Sequence, residues 1–195
     1  MSFEQPISTS PPIERVTVMQ GQALASAGQS IEYSTVLGSC VATCLYDPET
    51  RVGGMNHFLL SEPPANTPGA KIDEHYGVYL MELLINEQLK RGATRSTLEA
   101  KVFGGGAVIS GMNTINVGER NTAFVLDYLK TEKIPIVAKD LLDSYPRKVY
   151  YFPETGRVLV KKLHRVHNET LFSRERNYKD RLSGSDVAGD VELFV

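Results

Sequence analysis

Val41-Ala42-Thr43-Cys44-Leu45-Tyr46, then Asp47-Pro48-Glu49-Thr50, then Met55-Asn56-His57-Phe58-Leu59-Leu60 is the stretch that sets the architecture. Its first part is a short apolar run that reads as a strand. Pro48 presets φ for a turn, and Asp47 can bond the backbone ahead of it. The third part returns as a strand. Two strands joined by so short a turn pair antiparallel.

Upstream, Arg15 to Met19 alternates with β-branched residues and reads as a strand, and Ile31 to Val36 is a weaker one. Downstream of a Pro-dense loop at 61–70, residues 76–91 carry Tyr79, Leu80, Leu83, Leu84 and Leu89 on one helical face, and Gly92 stops the helix. Leu98 to Phe103 is a strand that runs into Gly104-Gly105-Gly106. Asn121 to Lys130 is a second helix, with Asn121 placed to cap it. Ile134 to Ala138, Lys148 to Phe152 and Arg157 to Leu163 are strands, the last two joined by the turn Pro153-Glu154-Thr155-Gly156. Many strands and two main helices imply an α+β fold, a layered α/β sandwich with a mixed, largely antiparallel sheet. Residues 1–14, rich in Ser and Pro, read as a disordered lead-in to a domain at 15–164. The charged stretch 165–195 reads as a peripheral extension, with a short helix near Leu171 to Leu182.

The chain has 195 residues, 42% of them hydrophobic, enough for one sizeable core. Its net charge of −2 gives no basic excess for nucleic acid. No apolar run is long enough to span a membrane, and no signal peptide is visible at the first residues. A cytoplasmic protein without membrane insertion is the expectation. Cys40 and Cys44 lie roughly 13 Å apart on an extended strand, beyond disulfide reach. With His57, His75, His164 and His167 they offer no zinc-ligand spacing, so no metal or other cofactor is expected. His75, His164 and His167 read as surface positions.

The chemistry concentrates at Leu37-Gly38-Ser39-Cys40 and Asn56-His57. A loop of Asp47 to Thr50 pairs Tyr46 with Arg51 and sets Cys40 directly across from His57. Such a pair can form a thiolate and an imidazolium, a nucleophile with its base. Gly53-Gly54 can host a bulge that shifts this register. The backbone N–H groups at Gly38 and Ser39 can converge as an oxyanion hole. The plainer alternative is a buried Cys acting as a small hydrophobe beside a core His. Cys44 reads as core. The triple glycine lacks the ending of a phosphate loop and reads as a close backbone approach. Gly118-Glu119-Arg120 reads as a cap segment in front of the second helix.

Leu37-Gly38-Ser39-Cys40-Val41, Gly54-Met55-Asn56-His57-Phe58, Lys101-Val102-Phe103-Gly104-Gly105, Ile115-Asn116-Val117-Gly118-Glu119-Arg120-Asn121 and Thr155-Gly156-Arg157-Val158 together resemble the CheD family of chemoreceptor glutamine deamidases. The resemblance spans about residues 15–163. It implies an α/β layered sandwich and a Cys-His-Thr triad. Cys40 and His57 fill the first two places. Spacing from the cysteine puts the third on Ser34, with Thr35 one residue later kept open. The family implies hydrolysis of receptor glutamines, with chemoreceptor cytoplasmic domains as substrate. It also offers a binding-module alternative, docking a CheC-type phosphatase, for which Phe103 is either an exposed anchor or a core residue. Where the family often carries a Gly pair after Asp-Leu, this chain has Leu142-Asp143, which bears on loop shape there.

Overall fold

The computed structural model describes residues 12–28, 30–60, 75–107 and 117–163. In chain order the strands are β1 (Glu14–Thr17), β2 (Gln22–Ala27), β3 (Ile31–Leu37), β4 (Val41–Asp47) and β5 (Val52–His57). Helix α1 (His75–Leu89) and β6 (Glu99–Gly104) follow. Then come α2 (Val117–Thr131), β7 (Ile136–Leu141), β8 (Arg147–Phe152) and β9 (Arg157–Lys162). The strands form two sheets, ordered β1-β3-β8-β9 and β2-β5-β4-β6-β7. Only β1–β3 and β6–β7 pair in parallel. This is the mixed, largely antiparallel sandwich expected.

Alternation along β4 builds the layers, because successive side chains leave opposite faces of a strand. Val41 and Leu45 pack with Leu80, Leu84, Phe124 and Leu129 of the two helices. Ala42 and Cys44, with Cys40 just ahead of the strand, pack instead with Tyr33, Leu37, Val149 and Tyr151 of the four-stranded sheet. The five-stranded sheet is therefore the middle layer, with an apolar core on each side.

Three local expectations change. Strand β2 was not legible, since its sequence, QALASA, lacks aromatic and β-branched residues; its pairing with β5 forms it. Gly53 and Gly54 host no bulge and pair regularly with Tyr46 and Leu45. Their role is steric. A Cβ at Gly53 would collide with the Pro153 carbonyl and the Tyr151 hydroxyl, and one at Gly54 would lie 2.7 Å from both Gln88 Nε2 and Leu84 Cδ1. Asn121 does not cap α2, which starts four residues earlier at Val117, so Gly118-Glu119-Arg120 is its first turn.

The β8–β9 hairpin forms as read, with Phe152 opposite Arg157. The Pro-dense loop at 61–70, most of the lead-in, the extension at 165–195 with its helix, and the side chains of His75, His164 and His167 lie outside the described residues. Among the described residues, no helix is long and apolar enough to cross a membrane.

Candidate active site

The turn between β4 and β5 sets the site's register. Asp47 stays in the strand, fully buried, because Thr94 N–H donates to its Oδ2 at 2.7 Å. Its Oδ1 accepts from Glu49 N–H at 2.9 Å, and its carbonyl from Arg51 N–H at 2.8 Å. Arg51 takes a left-handed φ of 58° and closes the loop. Asp47 therefore pairs with Val52, not Tyr46 with Arg51. The same register pairs Val41 with Phe58. Ala42 is thus opposite His57, and Cys40 stands diagonal to it rather than directly across. A two-residue shift keeps every side chain on its face, so Cys40 and His57 still project into the core between the sheets. Diagonal neighbours have Cα atoms roughly 7–8 Å apart, within reach of an imidazole.

His57 is 6% exposed and Cys40 2%. His57 Nδ1 lies 2.8 Å from Thr35 Oγ1 and 3.4 Å from the Val18 carbonyl. The Thr35 hydroxyl donates to that same carbonyl at 2.9 Å. Having given its only proton to Val18, it must accept from the ring. The proton of a neutral imidazole is thereby held on Nδ1, and Nε2 keeps its lone pair. Among the described residues, Nε2 has no hydrogen-bond partner. Burial lowers the His57 pKa to about 4, partly offset by the Val18 carbonyl, so the ring is neutral at neutral pH.

The hydroxyl at the imidazole is therefore Thr35's, not Ser34's. Tyr33, Thr35 and Leu37 point into the intersheet core, which turns Ser34 to the outer face of the four-stranded sheet. There Ser34 pairs with Thr17 and Tyr150.

The segment ahead of Cys40 is tied down by its carbonyls. Gly106 N–H donates to Gly38 O and Gly105 N–H to Cys40 O, each at 2.8 Å. Asn121 Nδ2 donates to Ser39 O at 2.9 Å. A trans peptide points its N–H opposite to its C=O, so these bonds also fix the N–H directions of Ser39 and Cys40. The glycine turn is held from behind by fully buried Arg147, which donates to Gly104 O at 3.0 Å and to the Asp140 and Leu142 carbonyls.

Phe103 is 4% exposed in the intersheet core, so it is no surface anchor; its place on β6 beside Ala42 aims it inward. Cys44 is buried in the same core, and burial raises its thiol pKa far above the ordinary range. No disulfide joins the two cysteines.

A family model described as CheD chemotactic sensory transduction matches residues 59–162. The chain belongs to the CheD family. It is 58% identical over 183 residues to a probable chemoreceptor glutamine deamidase CheD 1 of Dechloromonas aromatica, an alignment covering 94% of this chain and 90% of the relative. Identity is 53% to the probable chemoreceptor glutamine deamidase CheD of Methylobacillus flagellatus, over 93% of this chain and 90% of that one. It is 47% to that of Laribacter hongkongensis, over 93% and 88%. The family-model match begins two residues beyond His57, whereas the alignments to these CheD relatives span most of the chain.

Sequence reasoning missed three contributors to the site: Val18, Asn121 and Arg147. Val18 acts through its carbonyl, which no side-chain pattern reveals. Asn121 stood inside a family motif, but only the fold brings it and Arg147 to the Cys40 segment.

Proposed function

We propose that this CheD-family chain hydrolyses glutamine side chains of chemoreceptors to glutamate, with Cys40 as nucleophile, His57 as base and then acid, and Thr35 as the group that orients the ring. The observation that carries this is the Thr35–His57 bond, which leaves Nε2 as a lone-pair acceptor on the face shared with the thiol. The family's relatives, named as probable chemoreceptor glutamine deamidases, support the substrate class.

A neutral ring can take up the thiol proton at Nε2. As Cys40 sulfur attacks the carboxamide carbon, its proton passes to His57 Nε2. The oxyanion forms beside the Gly38-Ser39-Cys40 backbone, whose N–H groups are the donors nearest to it. His57 returns the proton to the amide nitrogen as the C–N bond breaks, releasing ammonia and leaving a thioester. Water then attacks the thioester carbon, giving a proton to His57. The C–S bond breaks, sulfur regains that proton, and the new carboxyl group gives its remaining proton to the released ammonia or solvent, so that the product leaves as glutamate. Each turnover adds a negative charge to the receptor.

The binding-module alternative loses its proposed anchor with the burial of Phe103. The test is incubation with chemoreceptor cytoplasmic fragments, with Gln-to-Glu conversion read by peptide mass spectrometry. Conversion by the wild type and none by Cys40→Ala is expected. Equal conversion by both would rule out Cys40, and none by either, with folding verified, would rule out the activity.

A further inference from the structure

Val41 and Phe58 exchange both backbone hydrogen bonds, Val41 N–H to Phe58 O at 3.0 Å and Phe58 N–H to Val41 O at 2.9 Å. In an antiparallel ladder such doubly bonded pairs recur every second residue. The next two in this register are Ser39 with Leu60 on one side, and Thr43 with Asn56 on the other. At both places a side-chain amide takes over a backbone bond. Thr43 N–H donates to the Asn56 side-chain Oδ1 at 2.9 Å, and continuous β4–β5 pairing resumes only at Cys44 and Met55. At the other, Leu60 N–H donates to Asn121 Oδ1 at 2.9 Å, and Asn121 Nδ2 donates to Ser39 O at 2.9 Å. Cys40 lies between the Asn121 position and the Val41–Phe58 pair. His57 lies between that pair and the Asn56 position.

We infer that Asn121 is a positioning residue: its amide stands in for the Ser39–Leu60 rung, wedges the two strands apart and sets the approach of Cys40 to His57. A direct Leu60 N–H to Ser39 O bond would close the strands at the nucleophile. The inserted amide keeps both groups bonded with the strands separated by its own width. Asn suits the task because one end of its side chain donates and the other accepts. Complete burial of Asn121 is consistent with this, since a buried amide is tolerated when its hydrogen bonds are made. The residue reaches the fork from the second turn of α2, so the helix sets where the wedge stands.

This rests on Cys40 being the nucleophile, and the test separates the two ideas. Asn121→Ala is expected to lower kcat about 10- to 100-fold, the scale of a misplacement near 1 Å, with KM nearly unchanged. Without substrate, the pH profile of Cys40 alkylation by iodoacetamide, resolved from Cys44 by peptide mass mapping, should shift in the variant. Asn121→Asp can donate to Ser39 O only while its carboxyl is protonated. Its turnover and alkylation should therefore fall away from wild type as pH rises. A folded Asn121→Ala protein with wild-type kcat and alkylation profile overturns the inference. If both variants fail to fold, the amide is a core requirement and the positioning role falls. An active Cys40→Ala protein removes the nucleophile instead and leaves the fork to be judged by the alkylation profile.

Discussion

At the scale of single residues, Thr35 and His57 form one unit, and its parts are separable. Thr35→Val keeps the shape but removes the hydroxyl that holds the Nδ1 proton. Steady-state kinetics on receptor fragments should show kcat reduced by roughly 100-fold, the lower end of what a positioned acid–base group contributes. Thr35→Ser should retain most activity and Ser34→Ala all of it, since Ser34 faces away from the core. Spacing from Cys40 pointed to Ser34 because counting along a sequence cannot tell the two faces of a strand apart; one residue of offset changes the face. His57 also marks stability. Burial puts its folded pKa at about 4, below the ordinary histidine value of 6.5, so between those values the unfolded chain binds the proton more tightly. Its contribution is complete above pH 6.5 and is lost as pH falls to 4. The loss totals about 3 kcal/mol over that window. Urea unfolding of His57→Gln should therefore show a shallower fall in stability from pH 7 to 4 than wild type.

At the scale of elements, two turns stacked behind Cys40 carry opposite kinds of constraint. Gly104, at φ 117°, passes against the Cys40 carbonyl so closely that a Cβ would collide with it. Gly104→Ala should displace Cys40 and abolish activity, and thermal unfolding should show a lowered Tm. The neighbouring turn is strained where relief is available. Leu142 and Asp143 take left-handed φ values of 64° and 70°. Leu142 is 39% exposed and its N–H is anchored to Gly104 O at 2.8 Å. Leu142→Gly should raise unfolding free energy in urea by about 0.5–1 kcal/mol, the left-handed cost less glycine's entropy. The strands and helices were largely legible because their patterns are local: the apolar face at Leu80 and Leu84, the alternation at Arg147–Phe152, the turn before Gly156. The β4–β5 register was not. It depends on Thr94, 47 residues away, holding Asp47 in the strand, and no local pattern contains that contact.

At the scale of the whole molecule, the described residues form two apolar cores, and only one of them borders Cys40 and His57. The helix-side core is built on Leu80, Leu84, Phe124 and Leu129. The intersheet core holds Cys40 among Leu37, Met55, Leu59 and Tyr151, with the Thr35–His57 pair on its edge. Large-to-small changes in either should cost stability alike, about 2–5 kcal/mol for a buried Leu or Met cut to Ala. Their effects on catalysis should part. Leu84, fully buried against α2 and β4, is separated from the thiol by the middle sheet. Leu84→Ala should lower Tm while leaving kcat near wild type at temperatures where the protein stays folded. Met55 lies two residues before His57 on the same strand face and directly opposite Cys44. A cavity there lets the intersheet side chains relax toward it, and the imidazole is among the first to move. Met55→Ala should lower kcat as well as Tm, and the gap between the two variants in kcat at matched fraction folded is the quantity to measure. Equal kcat in both would mean that the ring is held by Thr35 and Val18 alone, and that packing in the intersheet core has no part in placing it.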